Sequence, residues 1–152
     1  WQVRINILVV MQLFVFMLMA GCGGGGGGGG GSTTPQITSS LSTVVTVPSA
    51  TGTVSISGVV NPIVAGLKVR ISYPSGVTVD NAVRSGITPS SSSVILGPPG
   101  VTSVDIVLVG SDGFASGEIM QVIFGNVQAG TLPTQFSVSL LEVFDTNGVQ
   151  IQ

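Results

Sequence analysis

Few side chains in this sequence of 152 residues could take part in chemistry. The chain contains one cysteine, six Asp and Glu, four Lys and Arg, and no histidine. Without histidine it has neither an imidazole base for catalysis nor a histidine ligand for zinc or haem. A single cysteine cannot form an intramolecular disulfide or a thiolate metal cluster. We therefore expect no cofactor and no bound metal ion.

The carboxylates do not form a catalytic pattern. A glycoside hydrolase needs two carboxylates that face a cleft, whereas Asp112 and Asp145 lie in Asp-Gly and Asp-Thr-Asn-Gly sequences that are typical of turns. The stretch at Asp145 is similar to the start of a calcium loop but lacks its ligand spacing and final glutamate. Nucleophile-elbow and nucleotide motifs are missing too. The sequence therefore predicts a protein that is not an enzyme.

The N-terminal residues are typical of an export signal. Arg4 precedes an apolar run over residues 5–20, which ends in small residues. The run is shorter than the roughly 20 residues that a membrane-spanning helix needs, although a short inner-membrane anchor is an alternative. The stretch 18–22, Leu-Met-Ala-Gly-Cys, resembles the lipobox of bacterial lipoproteins.

That resemblance implies that residues 1–21 are a signal peptide and that Cys22 becomes the lipidated first residue of the mature chain. Two or more acyl chains on one residue give stable membrane anchoring. The alternative is a free Cys22 thiol behind a plain secretory signal. We expect an exported lipoprotein, anchored in the outer membrane or at the cell surface.

A glycine tract follows the cysteine. Nine consecutive glycines, residues 23–31, precede Ser32 and two threonines. Polyglycine buries no side chain and loses much entropy on ordering, so it favours a flexible coil. We interpret residues 22–40 as the lipidated cysteine with a linker, and residues 41–152 as one folded domain.

The domain has the pattern of an all-β sandwich. Short β-branched runs alternate with breaks rich in Gly, Pro, Ser and Asn. Sustained helical periodicity is missing. The predicted strands are 41–47, 53–60, 67–73, 77–83, 92–96, 102–109, 117–127, 134–144 and 149–151.

Alternation along these strands predicts which side chains face the core. In the strand 67–73, the odd-numbered residues including Tyr73 face inward, and Lys68 and Arg70 face outward. In the strand 102–109, Asp105 and Val107 face outward. In the strand 117–127, the core set is Met120, Val122 and Phe124, which leaves Ile119, Gln121 and Ile123 outside. For Phe114 we consider either an exposed loop aromatic or a lid over one end of the core.

Four stretches together resemble the cohesin domain of bacterial cell-surface and scaffoldin proteins. They are 64–77 (VAGLKVRISYPSGV), 107–113 (VLVGSDG), 116–124 (SGEIMQVIF) and 143–151 (VFDTNGVQI), in the order of the family. The resemblance implies a nine-stranded jelly-roll-like sandwich that binds a partner protein, dockerin-like or other. Some carbohydrate-binding modules share this architecture. The chain departs from the family by joining Tyr73 directly to Pro74, without an intervening Asp.

The candidate partner-binding residues are Lys68, Arg70, Asp105 and Val107. Cohesins that bind dockerins carry acidic and polar residues where this chain has Lys68 and Arg70. The two cations could steer a partner with acidic groups, or they could be solvated charges paired with Asp105 across the sheet. The net charge of −2 provides no basic face for nucleic acid.

Two other functions fit the sequence. A polysaccharide-binding module of the same architecture is one, although Tyr73 is the only tyrosine and is predicted to face the core. A structural envelope protein that self-associates is the other. Its contacts would come from an exposed apolar patch of Ile119, Ile123, Val107 and Val109.

Overall fold

The computed structural model describes residues 36–59, 64–85 and 87–152. The predicted signal peptide, the lipidation site Cys22 and the glycine tract lie outside these residues. Among the described residues, no helix has the length and apolar character needed to cross a membrane.

Two antiparallel four-stranded sheets make up the described domain. One sheet has the order β1-β2-β7-β4 and the other the order β5-β6-β3-β8. The predicted all-β sandwich is thereby confirmed. The strands are β1 (Thr38–Thr46), β2 (Ser49–Ser57), β3 (Val64–Ser72), β4 (Thr78–Arg84), β5 (Ser93–Leu96), β6 (Ser103–Phe114), β7 (Gly117–Gly125) and β8 (Ser137–Asp145).

The inner faces of both sheets supply one hydrophobic core. As alternation predicts, the inward residues of β3 and β6 and Tyr73 are buried. The rings of Tyr73 and Phe124 lie 5.9 Å apart, and those of Phe124 and Phe136 lie 4.9 Å apart. The buried Tyr73 hydroxyl donates hydrogen bonds to the carbonyl oxygens of Gly100 and Ser103, at 2.8 and 3.2 Å.

The structure corrects the predicted position of Ile119. Alternation placed this side chain outside, but it is 0% exposed. The register of β2 and β7 pairs Val54 with Met120 and Ser55 with Glu118, so Ile119 is an extra residue in a bulge. The bulge shifts the alternation by one residue, and both Ile119 and Met120 face the core.

Phe114 is a core residue and not an exposed loop aromatic, because its side chain is 1% exposed. β6 continues to Phe114, five residues beyond the predicted end of the strand. Gly113 has the positive φ that its turn sequence predicts, 74°, but it lies inside β6. Residues 110–113 form an irregular insertion in the pairing of β6 with β3, between the pairs Gly66–Val109 and Val64–Phe114. The turn to β7 therefore lies at residues 115–116 and not at Gly113.

The ends of the domain lie close together. β1 begins at Thr38, three residues before the predicted start of the first strand. The predicted ninth strand, 149–151, forms a single bridge between Gln150 and Phe144 and hydrogen bonds to β8. The Gln152 side-chain amide accepts a hydrogen bond from the N–H of Ile37 at 2.9 Å and donates one to its carbonyl oxygen at 2.8 Å.

Candidate functional site

The four predicted partner-binding residues lie together on the outward face of the β5-β6-β3-β8 sheet. Lys68 pairs with Val107 and Arg70 with Asp105 in the antiparallel register of β3 and β6. Their neighbours Val69 and Ile106 are fully buried on the opposite side of the sheet. Alternate side chains of β3 and β6 therefore point outward and form this face.

Arg70 and Asp105 form a bidentate ion pair. The Arg70 Nε lies 2.7 Å from the Asp105 Oδ1, and the Arg70 Nη2 lies 2.9 Å from the Asp105 Oδ2. The hydrogen bond from Arg70 and the charges of Arg70 and Lys68 hold the pKa of the Asp105 carboxyl below its ordinary value, against a smaller opposing effect of burial. The same pair raises the pKa of Arg70. A planar guanidinium fits a carboxylate in this geometry better than an ammonium group does.

Lys68 lies between two carboxylates. Its Nζ is 3.8 Å from the Asp105 Oδ2 and 3.7 Å from the Glu142 Oε1. Glu142 was not predicted as a site residue, because alternation along residues 134–144 does not show which residue of β8 lies beside Lys68. A register shift between Lys68 and Val69 leaves Leu141 unpaired and brings Glu142 opposite Lys68.

We call Lys68, Arg70, Asp105 and Glu142 the charged cluster. Its two cations and two carboxylates neutralise one another on the surface of the sheet. The four side chains are between 26% and 50% exposed, so solvent screens these ion pairs. The cluster can still offer hydrogen bonds to a partner, since each group faces solvent on one side.

Apolar side chains flank the charged cluster. Ile95 on β5 pairs with Val107, and it is 56% exposed. Val109, two residues farther along β6, is 42% exposed. Ile95 was not predicted as a site residue, although it lies between the inward-facing Val94 and Leu96 in a predicted strand and therefore faces outward. Together these residues give the face a mixed apolar and charged surface, as protein interfaces have.

The other sequence candidates lie elsewhere. The predicted apolar patch does not exist, because Ile119 is in the core and Ile123 faces outward from the opposite sheet, away from Val107 and Val109. Among the described residues, Tyr73 and three of the phenylalanines are buried and Phe144 is half-buried. The exposed aromatic platform that stacks sugar rings in many carbohydrate-binding modules is thus missing from the described domain.

Asp145 has the role in a turn that its sequence predicts. Its Oδ1 accepts hydrogen bonds from the backbone N–H groups of Val149 at 2.9 Å and Asn147 at 2.8 Å. The bond from Val149 lowers the pKa of the carboxyl most, and those from Asn147 and Gly148 add to the effect. In the described part of the chain, no three Cys, Asp or Glu side chains lie together as metal ligands.

Comparison with solved structures identifies cohesin modules as similar in fold. A non-cellulosomal cohesin from the hyperthermophilic archaeon Archaeoglobus fulgidus matches with a TM-score of 0.51 and 18% identity, over 68% of this chain and 72% of that one. The sixth cohesin of Acetivibrio cellulolyticus scaffoldin B, solved in complex with a Cel5 dockerin, matches with a TM-score of 0.55 and 12% identity, over 74% and 90%.

The cohesin of a Clostridium thermocellum complex, Coh-OlpA-Doc918, matches with a TM-score of 0.56 and 14% identity, over 76% of this chain and 91% of that one. Neither the known family models nor the curated protein sequences give a match. The described domain thus has the cohesin fold, as the four resembling sequence stretches predicted.

Proposed function

We propose that this protein is a surface-anchored binding module that holds a partner protein on the outward face of its β5-β6-β3-β8 sheet. The observation that carries the proposal is the charged cluster with Val107, Ile95 and Val109 beside it on one open sheet face. The cohesin fold supports it further, since two of the similar modules are described as complexes with dockerins. Fold alone does not establish function, so the contacts of this face must be tested directly.

The internal pairing of the charges defines what the partner must provide. Lys68 and Arg70 already have carboxylate neighbours, so a partner does not need to neutralise bare positive charge. We expect the partner to contact Val107 and Ile95 through apolar side chains and to exchange hydrogen bonds with the charged cluster. Such an arrangement contributes specificity more than raw affinity.

A pull-down tests this function. The immobilised chain is exposed to the secreted and envelope fractions of its source organism, and the retained proteins are identified. We expect one specific partner, which is then measured against Lys68→Glu/Arg70→Glu. This change should weaken binding by at least about tenfold, since buried interface charges left unpaired typically cost about 2 kcal/mol or more. Retention of glycan alone, or an unchanged affinity, contradicts the proposal.

Two further variants control this experiment. Lys68→Glu/Arg70→Glu gathers four carboxylates and could unfold the domain, so Arg70→Asp/Asp105→Arg is measured beside it. The exchanged pair keeps the attraction but reverses its direction, and we expect it also to lose the partner. Thr51→Glu/Thr53→Glu places the same two charges on the opposite sheet, where binding should be unaffected.

We propose further that Cys22 carries the lipid that anchors this domain to a membrane. The proposal rests on the apolar run that precedes Cys22 and on the resemblance of residues 18–22 to a lipobox. Metabolic labelling with a fatty-acid analogue should mark the wild-type chain and not Cys22→Ser, and the variant should leave the membrane fraction. Labelling of the variant would contradict lipidation at Cys22.

A further inference from the structure

A groove lies at the side of the sandwich where the two sheets end in β4 and β5. Its volume is about 850 Å³, within the range of roughly 300–1,000 Å³ that is usual for ligand sites. Residues 82–85 form one wall and residues 92–94 the other, with residues 87–90 between them. The groove is separate from the charged cluster, which lies on the open face of the β5-β6-β3-β8 sheet.

Arg84 is the charged residue of this groove. Its Nη1 donates a hydrogen bond to the carbonyl oxygen of Pro89 at 2.9 Å. In the described residues no carboxylate lies within ion-pair distance of Arg84, whereas Lys68 and Arg70 are both paired. The guanidinium therefore keeps donors free, and its planar geometry suits a carboxylate.

The remaining walls of the groove offer hydroxyl and apolar groups but no carboxylate. The hydroxyl groups of Ser85 and Thr88 donate to the carbonyl oxygens of Glu118 and Ile119, and so fix this wall to β7. The Ser92 hydroxyl is buried and has no hydrogen-bond partner among the described residues. Ile87 and Val94 provide apolar contact.

The groove also exposes strand edges. Within the described chain, β5 is hydrogen-bonded to β6 alone and β4 to β7 alone. The unpaired edge of a strand binds extended peptides through backbone hydrogen bonds, while alternate side chains enter neighbouring pockets. An edge beside an unpaired arginine and an apolar wall therefore suits an extended peptide better than a compact anion.

We propose that the groove between β4 and β5 binds an extended acidic peptide segment of another protein. The peptide pairs with the edge of β5, places a Glu or Asp carboxylate on Arg84, and packs β-branched side chains against Ile87 and Val94. This site is independent of the sheet-face interface, so either can fail without the other.

Two pentapeptides with blocked ends, VTETV and VTQTV, test the proposal, because their Val and Glu or Gln side chains share one face of an extended strand. The full chain, labelled with ¹⁵N and kept in solution by a mild detergent, is titrated with each, and amide shifts are recorded. We expect VTETV to shift the amides of Ser93–Leu96, and VTQTV to bind about two- to fivefold more weakly, as the loss of an exposed ion pair predicts. Arg84→Gln should remove this preference and Arg84→Lys should retain part of it.

Four outcomes would overturn the proposal. The first three are equal affinity for the two peptides, unchanged affinity of Arg84→Gln for VTETV, and the absence of shifts in β5 at millimolar peptide. Preferential binding of trigalacturonate at Arg84 would also overturn it, because the ligand would then be an acidic sugar. Arg84 is exposed, so we expect Arg84→Gln to remain folded. Unchanged amide signals from residues outside the groove verify this.

Discussion

At the scale of single residues, the few charged side chains of this domain stabilise local structure. Arg70 and Lys68 hold Asp105 on the sheet face, and Asp145 accepts backbone hydrogen bonds that close the turn after β8. Both carboxyl groups have a pKa below the ordinary value in the folded state. A carboxyl group with a lowered pKa stabilises the folded state while it is ionised.

The pH dependence of stability follows from these two carboxyl groups. Their stabilisation is fully present above the pKa of an unfolded aspartate, about 3.9, and is lost as the pH falls through the lower folded value. We expect the free energy of unfolding to decrease with acidification below about pH 4, as measured by urea titration. Asp145→Asn should make this decrease shallower.

Asp80→Asn is the matched control for Asp145→Asn. Asp80 is also an exposed aspartate, but the hydrogen bond found for its carboxylate comes from the Thr78 hydroxyl and not from the backbone. Asp80→Asn removes one carboxylate charge without removing a backbone hydrogen bond, so it separates the effect of the charge from that of the turn. If Asp145→Asn does not change the decrease of the unfolding free energy below about pH 4, the turn contributes no pH-dependent stability.

At the scale of elements, the strands follow the alternation of the sequence except where a bulge intervenes. The faces of β3 and β6 were predictable because their registers run without interruption from Gly66 to Ser72. The faces of β7 and β8 were predictable only in part, because each contains one extra residue, Ile119 and Leu141 respectively. A bulge is a property of the strand pair, so the sequence of one strand does not reveal it.

The same limit applies to the candidate site. Lys68, Arg70, Asp105 and Val107 could be grouped from the sequence because they alternate with apolar residues in two clear strands. Glu142 and Arg84 could not be placed. The position of Glu142 depends on the bulge in β8, and the significance of Arg84 depends on how closely the edges of two different sheets approach.

Ile119 and Ile123 provide a direct test of the bulge in β7. Simple alternation puts both side chains outside, whereas the structure buries Ile119 and leaves Ile123 36% exposed. We expect Ile119→Ala to lower the free energy of unfolding by about 2–5 kcal/mol, and Ile123→Ala by less than about 1 kcal/mol. Equal costs in urea unfolding would show that the bulge is absent.

At the scale of the whole molecule, residues at the two ends of the described domain connect the two sheets. The side-chain amide of Gln152 binds Ile37 just before β1, and its backbone carbonyl oxygen accepts a hydrogen bond from Val143 in β8 at 2.9 Å. β1 and β8 are edge strands of different sheets. Gln152 therefore links the two edges on one side of the sandwich.

Hydrogen exchange can measure the contribution of this link. In Gln152→Ala, the N–H of Ile37 loses its hydrogen-bond acceptor, so we expect its amide to exchange faster, with a loss of about 1 kcal/mol in unfolding free energy. Gln128→Ala is the control, since among the described residues the Gln128 side-chain amide bonds to Asn126 alone, in an exposed loop. Unchanged protection of Ile37 would exclude the link as a source of stability.

The link at Gln152 also determines how the domain resists a pulling force. Tension that enters through the residues before Ile37 would, in an edge strand alone, unzip β1 from β2 one pair at a time, starting with Thr38 and Ser57. Because Gln152 joins Ile37 to Val143, part of the load passes directly to β8, which is paired with the β3 strand that carries Lys68 and Arg70. A partner held on that face would then be mechanically coupled to the point where the chain enters, with less of the strain carried by β1.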